Sequence, residues 1–135
     1  MEYRLERKRI ILYIALAILV SFTLLSLYPR DGSGDSPYRD PENLKQLVDD
    51  QDSSYLLLDV RTPSEYSSGY IPTAQNLPLQ ILGENLPETS RDSLIILYCR
   101  SGNRSSQAAR LLQKEGYTNV VDFGGINRWP YGLNR

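Results

Sequence analysis

The chain has 135 residues, 41% of them hydrophobic and 23% charged, and a formal net charge of −1. This length allows one small domain, and the balanced charge excludes the strongly basic surface of a typical nucleic-acid-binding protein. Because the sequence contains no histidine and one cysteine, Ser-His-Asp and Cys-His catalysis, the usual metal sites and an internal disulfide are excluded, and no metal or other cofactor is expected.

The first predicted element is a membrane-spanning helix. Residues 10–28 carry no charged side chain, and as a helix they would be about 28 Å long, close to the ~30 Å hydrocarbon core of a bilayer. Residues 1–9 are basic, so the positive-inside rule places them in the cytoplasm and the following domain on the extracytoplasmic side, which is the periplasm in a bacterium. The alternative is a cleaved signal peptide and a secreted domain.

A linker and one globular domain are predicted to follow. Residues 29–37 are rich in Gly, Ser, Asp and Pro, a composition typical of a flexible tether. The domain is predicted to occupy residues 38–135.

Helices and strands are predicted to alternate within this domain. Asp40 before Pro41, and Thr62 with Glu65 three residues later, are typical signals of helix N-termini. Gly116 is typical of the position just past a helix end. In chain order, the elements are a helix from residue 41, a strand at 55–60, a helix from 63, a strand at 74–77, a helix at 79–86, a strand at 94–98, a helix at 104–115 and a strand at 119–123. This alternation predicts an α/β fold with a mainly parallel sheet.

The candidate reactive segment lies between the strand at 94–98 and the helix at 104–115. It reads Cys99-Arg100-Ser101-Gly102-Asn103-Arg104-Ser105. Ligands of parallel sheets bind at the carboxyl ends of strands, and a helix N-terminus beside arginines favours both a thiolate and a bound anion. Because the chain has no histidine base, the loop itself must activate the thiol. We therefore predict that Cys99 is a nucleophile and that its substrate is an anion.

Four ordered motifs resemble those of a single-domain rhodanese, a rhodanese-like sulfurtransferase. They are residues 59–66 (DVRTPSEY), 69–74 (GYIPTA), 99–105 (CRSGNRS) and 124–126 (GGI) followed by Trp129. The resemblance implies a rhodanese-like parallel five-stranded sheet flanked by helices, with an active-site loop at 99–104 and a persulfide on Cys99 during sulfur transfer. The sequence departs from the family at Tyr70, where histidine is common, and at Thr73, where glycine is common.

The resemblance and the loop chemistry together predict sulfur transfer from a small anionic donor. Cys99 would attack the outer sulfur of thiosulfate or a similar donor, and cyanide or a thiol would accept the sulfur from the persulfide. Because two negative reactants repel, the predicted substrate-binding residues are those that can offset charge or aim backbone amides at the anion. They are Arg100, Ser101, Gly102, Asn103 and Arg104. Three further residues are predicted to support the loop, namely Asp59, Arg61 and Ser105.

Two other functions stay open at this point. The domain could be a non-catalytic sulfur carrier or a binding module for a membrane partner. Phosphatase or arsenate-reductase chemistry is disfavoured, because the segment from Cys99 to Arg104 is a C-x4-R loop. The loops of those enzymes are C-x5-R, which is one residue longer and fits a tetrahedral phosphate.

Overall fold

The computed structural model describes residues 36–50 and 54–135, together with four residues near the N-terminus, Ile11, Tyr13, Ile14 and Leu16. The chain divides after residue 31, and residues 32–135 form one compact unit. The predicted domain start at residue 38 stays a prediction.

The localisation predicted from the sequence needs a correction. Among the residues that the structure describes, no helix is long and apolar enough to cross a bilayer. A spanning helix needs about 20 apolar residues, whereas the longest described helix, Asn103–Lys114, has 12 residues and exposes a polar face. This finding contradicts the predicted single-pass membrane protein with an extracytoplasmic domain. The predicted segments 1–9, 10–28 and 29–37 lie mostly outside the described residues.

The helices begin where the sequence signals place them. Their bounds are α1 Pro41–Asp50, α2 Pro63–Ser67, α3 Leu79–Leu82 and α4 Asn103–Lys114, with short 3-10 helices at Pro37–Arg39 and Ile126–Arg128. The carboxylate of Asp40 accepts the N–H of Glu42 at 2.8 Å, and Thr62 and Glu65 form a capping box at the start of α2. The helix predicted at 79–86 is shorter than expected, because α3 ends at Leu82 and Gly83 is its C-cap.

The described strands form one parallel sheet. Their bounds are β1 Tyr55–Asp59, β2 Gln75–Asn76, β3 Leu94–Cys99 and β4 Val120–Gly125, in the spatial order β2-β1-β3-β4. In the central pair, Asp59 lies opposite Tyr98. The carboxyl ends of β1 and β3 therefore reach the same edge of the sheet, and Cys99 lies one residue beyond this pair.

The sheet has four described strands, not the five that the family resemblance implied. Ahead of α1, the described chain forms the 3-10 helix Pro37–Arg39. Proline lacks the N–H that a strand ladder requires, so Pro37 favours this outcome. The α/β class with a parallel sheet flanked by helices is confirmed.

The two central strands, β1 up to Leu58 and all of β3, carry uninterrupted apolar runs because both faces of the sheet are covered there. Along β3, Ile95 and Leu97 face one apolar cluster together with Cys99, while Ile96 and Tyr98 face the other. The first cluster includes buried residues of α3 and α4. The second includes residues of α1. Cys99 therefore lies on the α4 side of the sheet, next to the helix that begins with its own loop.

The two departures from the family pattern are both accommodated. The ring of Tyr70 stacks on Tyr66 with a centroid distance of 4.2 Å. Thr73 has a φ of 70°, which is the left-handed region that glycine adopts without strain. Its hydroxyl shares a hydrogen bond of 2.8 Å with the hydroxyl of Tyr55. The turn at Thr73 thus keeps the backbone conformation that suits a glycine.

Candidate active site

Cys99 is the last residue of β3, and the loop that follows it leads directly into α4. The residue is 1% exposed. The N–H of Gly102 donates a hydrogen bond to the sulfur at 3.1 Å. Gly102 has a φ of 103° and is the N-cap of α4, a conformation that favours glycine. This turn aims the backbone amide back at the thiol, as the sequence predicts for a glycine within the loop.

The pKa of the Cys99 thiol lies below its usual value. Burial is the largest influence and raises this pKa, but hydrogen bonds from the N–H groups of Ser105, Gly102 and Ser101 and from the Ser105 hydroxyl outweigh it. Such bonds favour the charged form of a thiol. The groups that lower this pKa are amides and one hydroxyl rather than the arginines, and the activation of Cys99 stays a prediction.

Alkylation measures this activation directly. We expect the rate of Cys99 modification by iodoacetamide to rise with an apparent pKa below the value of about 8.5 for a free cysteine. Because Cys99 is 1% exposed, a maleimide carrying a long polymer should react more slowly than a small maleimide. An apparent pKa at or above that of free cysteine would contradict the amide arrangement, and equal rates for both maleimides would contradict the shielding.

The two arginines of the loop have different surroundings. Arg100 is exposed. The guanidinium of Arg104 donates from Nη1 to Oε2 of Glu65 at 2.7 Å and from Nη2 to Oε1 at 2.8 Å. These bonds raise the pKa of Arg104 above its usual value, and the charge of Cys99 adds to the effect. Arg104 therefore interacts with the charge of Cys99, but a carboxylate compensates its own charge.

Glu65 is a residue of this site that the sequence interpretation did not include. The sequence marks it only as the capping-box residue of α2, a role it also has in the structure, where it accepts the N–H of Thr62 at 3.0 Å. The bonds from Arg104, assisted by Thr62, lower the pKa of Glu65 to about 2. A carboxylate with this pKa stays charged at neutral pH. No signal in the sequence pairs Glu65 with Arg104, because the two residues are 39 positions apart and only the fold brings them together.

Asp59 and Arg61 form a buried ion pair at the end of β1. Asp59 is 0% exposed and Arg61 is 6% exposed. The Nε of Arg61 donates to both carboxylate oxygens of Asp59 at 2.9 Å, and Nη2 also donates to the carbonyl of Gly69 at 2.7 Å. The side chain of Asn76 donates to the carbonyl oxygens of both residues. The pair thus joins β1, β2 and the turn at Gly69 into one scaffold.

Of the three remaining predicted residues, two are exposed and one is buried. Ser101 and Asn103 are exposed, and the side-chain oxygen of Asn103 accepts a bond from Gln107 at 2.7 Å. Ser105 is buried, and its hydroxyl donates to the carbonyl of Gly102 at 3.0 Å and lies 3.3 Å from the carbonyl of Gly124. Since a hydroxyl has one proton, these carbonyls compete with the sulfur for it. Ser105 therefore contacts both the loop and the strand beside it.

Comparison with known proteins identifies the family. A family model described as the rhodanese-like domain matches residues 40–130. The chain belongs to this family. The sequence resemblance is thereby confirmed for the domain, which carries Cys99 at the end of its third described strand.

Two relatives of this rhodanese-like domain are named sulfurtransferases. A protein named sulfurtransferase from Allochromatium vinosum is 41% identical over 96 residues, which cover 70% of this chain and 89% of that protein. The thiosulfate:glutathione sulfurtransferase of Saccharomyces cerevisiae is 31% identical, covering 65% of this chain and 73% of that protein. Among solved structures, a rhodanese-like domain protein of Staphylococcus aureus superposes with a TM-score of 0.61 at 28% identity, covering 70% of this chain and 92% of that one.

Two glycines of β4 lie opposite the end of β3, where the loop after Cys99 lies against the sheet. A register shift in β4 sets Gly124 opposite Tyr98 and Gly125 opposite Cys99. A Cβ on Gly125 would lie 2.8 Å from the carbonyl oxygen of Arg100 and 3.0 Å from the Cα of Ser101. The first distance is shorter than a side-chain carbon tolerates and the second is unusually tight, and both neighbours are backbone atoms. Gly125 therefore allows the backbone of the Cys99–Arg104 loop to lie close against β4.

Gly125→Ala should disturb the loop. The added methyl group must push the backbone at Arg100 and Ser101 away, so we expect a loss of about 1–3 kcal/mol in the free energy of unfolding together with slower alkylation of Cys99. Urea denaturation and iodoacetamide kinetics measure the two effects. Gly132→Ala is the matched control, because nothing lies within 4 Å of a Cβ at that position. Equal behaviour of the two variants would contradict the close approach.

A cavity of about 460 Å³ lies away from this chemistry. Its walls come from β1, β2 and the segment before β3, including Leu56, Gln75 and Thr89, and neither Cys99 nor any residue of its loop lines it. Its lining includes hydroxyl groups, such as that of Thr89, but not the thiol. The candidate site is therefore defined by the thiol and its amides rather than by the concavity of the surface.

Proposed function

We propose that this chain is a sulfurtransferase that moves a sulfane sulfur from thiosulfate or a similar small anionic donor to cyanide or a thiol. The observation that carries the proposal is the buried sulfur of Cys99, which accepts a backbone hydrogen bond at 3.1 Å and has a lowered pKa. A thiol that is nucleophilic without a histidine base is what this chemistry requires. Membership of the rhodanese-like family and the names of its relatives support the same activity.

The first half-reaction loads the cysteine. The Cys99 thiolate attacks the outer sulfur of thiosulfate, a sulfur–sulfur bond to Cys99 forms, and the bond to the inner sulfur breaks. Sulfite leaves with that electron pair, and Cys99 holds a persulfide. Charge builds up where the two anions meet, and the N–H groups of Ser101, Gly102 and Ser105 are already aimed at this point. The exposed guanidinium of Arg100 is placed to attract the donor.

In the second half-reaction, an acceptor removes the outer sulfur from the Cys99 persulfide. Cyanide attacks the outer sulfur of the persulfide, the new carbon–sulfur bond forms thiocyanate, and the electron pair of the broken bond returns to Cys99 as a thiolate. A thiol acceptor reacts in the same way: its own thiolate attacks the outer sulfur, and the acceptor leaves as a persulfide. The same amides that lower the pKa of Cys99 make the thiolate a good leaving group.

Steady-state kinetics of the full chain test this proposal. We expect thiocyanate formation from thiosulfate and cyanide, with parallel lines in double-reciprocal plots, because the donor product leaves before the acceptor binds. Intersecting lines would contradict the double-displacement mechanism. Persulfide formation without turnover by either acceptor would instead favour a sulfur carrier.

A further inference from the structure

We infer that Glu65 sets the charge preference of the site for its sulfur donor, because it holds the guanidinium of Arg104, the last residue of the loop that begins at Cys99, and offsets its charge. This inference rests on the proposed sulfur transfer. It makes Glu65 a positioning residue, since it acts on the donor through Arg104. Neither the loop motif nor the capping box of α2 suggests such a role.

The contacts of Glu65 connect two parts of the fold that are distant in sequence. Its Oε2 accepts from the N–H and the hydroxyl of Thr62 at 3.0 Å each, and also from Nη1 of Arg104 at 2.7 Å. Its Oε1 accepts from Nη2 of Arg104 at 2.8 Å. This two-pronged geometry fixes both the position and the orientation of a guanidinium. Since α2 fixes Glu65, the position of Arg104 depends on a helix that contributes nothing else to the loop.

The ion pair is only partly buried, with side-chain exposures of 24% for Arg104 and 28% for Glu65. A donor approaching from solvent therefore meets the guanidinium and the carboxylate together. Arg104 still interacts with the charge of Cys99, and a carboxylate so close to that arginine weakens its attraction for a second anion.

The other charged groups around the loop do not replace this cation. Asp59 and Arg61 compensate each other within the scaffold. Arg128 donates from both terminal nitrogens to backbone carbonyl oxygens, those of Phe123 and Arg39. Within the described part of the chain, Arg100 is therefore the uncompensated cation of the loop.

This arrangement has a consequence for donors of different charge. Thiosulfate brings two negative charges, whereas an aryl thiosulfonate brings one and transfers its outer sulfur in the same way, leaving a sulfinate. With Glu65 in place, the site offers the dianion less attraction than two free arginines would. Removal of the carboxylate charge should therefore favour thiosulfate over the monoanionic donor, and it should also favour the thiolate form of Cys99.

Glu65→Gln tests the inference, because glutamine keeps the size and one acceptor oxygen but not the charge. The probes are thiosulfate and benzenethiosulfonate, each with cyanide as acceptor. We expect the ratio of kcat/KM for thiosulfate to kcat/KM for benzenethiosulfonate to rise about 3–10-fold, mainly through the KM for thiosulfate, and to rise less at high salt. The apparent pKa of Cys99 alkylation should fall.

Arg104→Gln is the reciprocal variant, and it decides the question if Glu65→Gln does not fold. It removes the cation and leaves the carboxylate, so the same ratio should fall below that of the original chain. Ser67→Ala is the structural control, since it removes an exposed hydroxyl of α2 that donates to the carbonyl of Pro63 and leaves the ion pair. Asp49→Asn is the control for charge, because Asp49 pairs with Lys45 on α1, which packs on the other face of the sheet.

The outcomes separate the two levels of the proposal. The role of Glu65 would be overturned, and the sulfurtransferase proposal left intact, if Glu65→Gln transfers sulfur from both donors with an unchanged kcat/KM ratio and an unchanged alkylation pKa. An unchanged kcat/KM ratio in Arg104→Gln would have the same meaning. Transfer from neither donor by the original chain would overturn the proposed function, and the alkylation pKa would then still report whether Glu65 weakens the charge at Cys99.

Discussion

Replacement of Cys99 by serine is expected to abolish sulfur transfer, with turnover at least about 10³-fold lower. Serine keeps the size of the side chain and can accept the bond from the Gly102 N–H, but its hydroxyl is not ionised at neutral pH and does not form a stable link to a sulfane sulfur. The chain contains one cysteine, so no second thiol can replace it. The measurement is thiocyanate formation with thiosulfate and cyanide.

This result is informative only if the variant folds. The side chain of Cys99 is buried among apolar residues of the α4 side, so the free energy of unfolding of Cys99→Ser must be measured alongside. Ser106→Ala is a suitable control, because it changes a side chain one turn into α4 that bonds only to the carbonyl of Asn103 among the described residues. Folded Cys99→Ser with turnover near that of the original chain would contradict a cysteine-based mechanism.

The second large effect is expected at the buried ion pair. Arg61→Met removes a guanidinium that is 6% exposed and leaves the fully buried carboxylate of Asp59 without its cation. The loss of one partner of a buried pair costs about 3–5 kcal/mol. In the structure, burial works against the charge of Arg61, but the bonds and charge of Asp59 keep its pKa above the usual value. Urea denaturation should therefore show a strongly destabilised domain.

A double variant tests whether the loss of stability comes from the unpaired buried charge rather than from the two substituted side chains independently. Replacing both residues, as in Asp59→Leu with Arg61→Met, removes the buried charge as well as its partner, so the double variant should lose less stability than the two single variants together. Asp49→Asn, which breaks an exposed pair with Lys45, should change the free energy of unfolding by less than about 1 kcal/mol. Additive losses at Asp59 and Arg61 would show that the two side chains act independently.

Local signals explain why much of the fold was predictable. The N-terminal ends of α1 and α2 follow from side chains within three residues of the helix start, and β1 and β3 follow from apolar runs that only a sheet covered on both faces can bury. The strand at Gln75–Asn76 is shorter than predicted, because its pairing with β1 is limited to two residues. The count of five strands came from the family, and no local pattern in the sequence required it.

The site was predictable to the extent that it is local. Cys99, Gly102 and Ser105 lie within seven residues of each other, and one turn into a helix brings their amides and hydroxyl to the sulfur. The bond between Glu65 and Arg104 spans 39 positions, and a sequence without the fold gives no reason to pair them. The same holds for Gly125, whose lack of a side chain matters only because the loop lies against β4.

Intact mass spectrometry of the full chain after incubation with thiosulfate alone tests the central claim most directly. The account predicts a gain of one sulfur, about 32 Da, which disappears on addition of cyanide and does not form in Cys99→Ser. No gain in mass at any thiosulfate concentration, or a gain that persists in Cys99→Ser, would contradict a Cys99 persulfide as the intermediate of this protein.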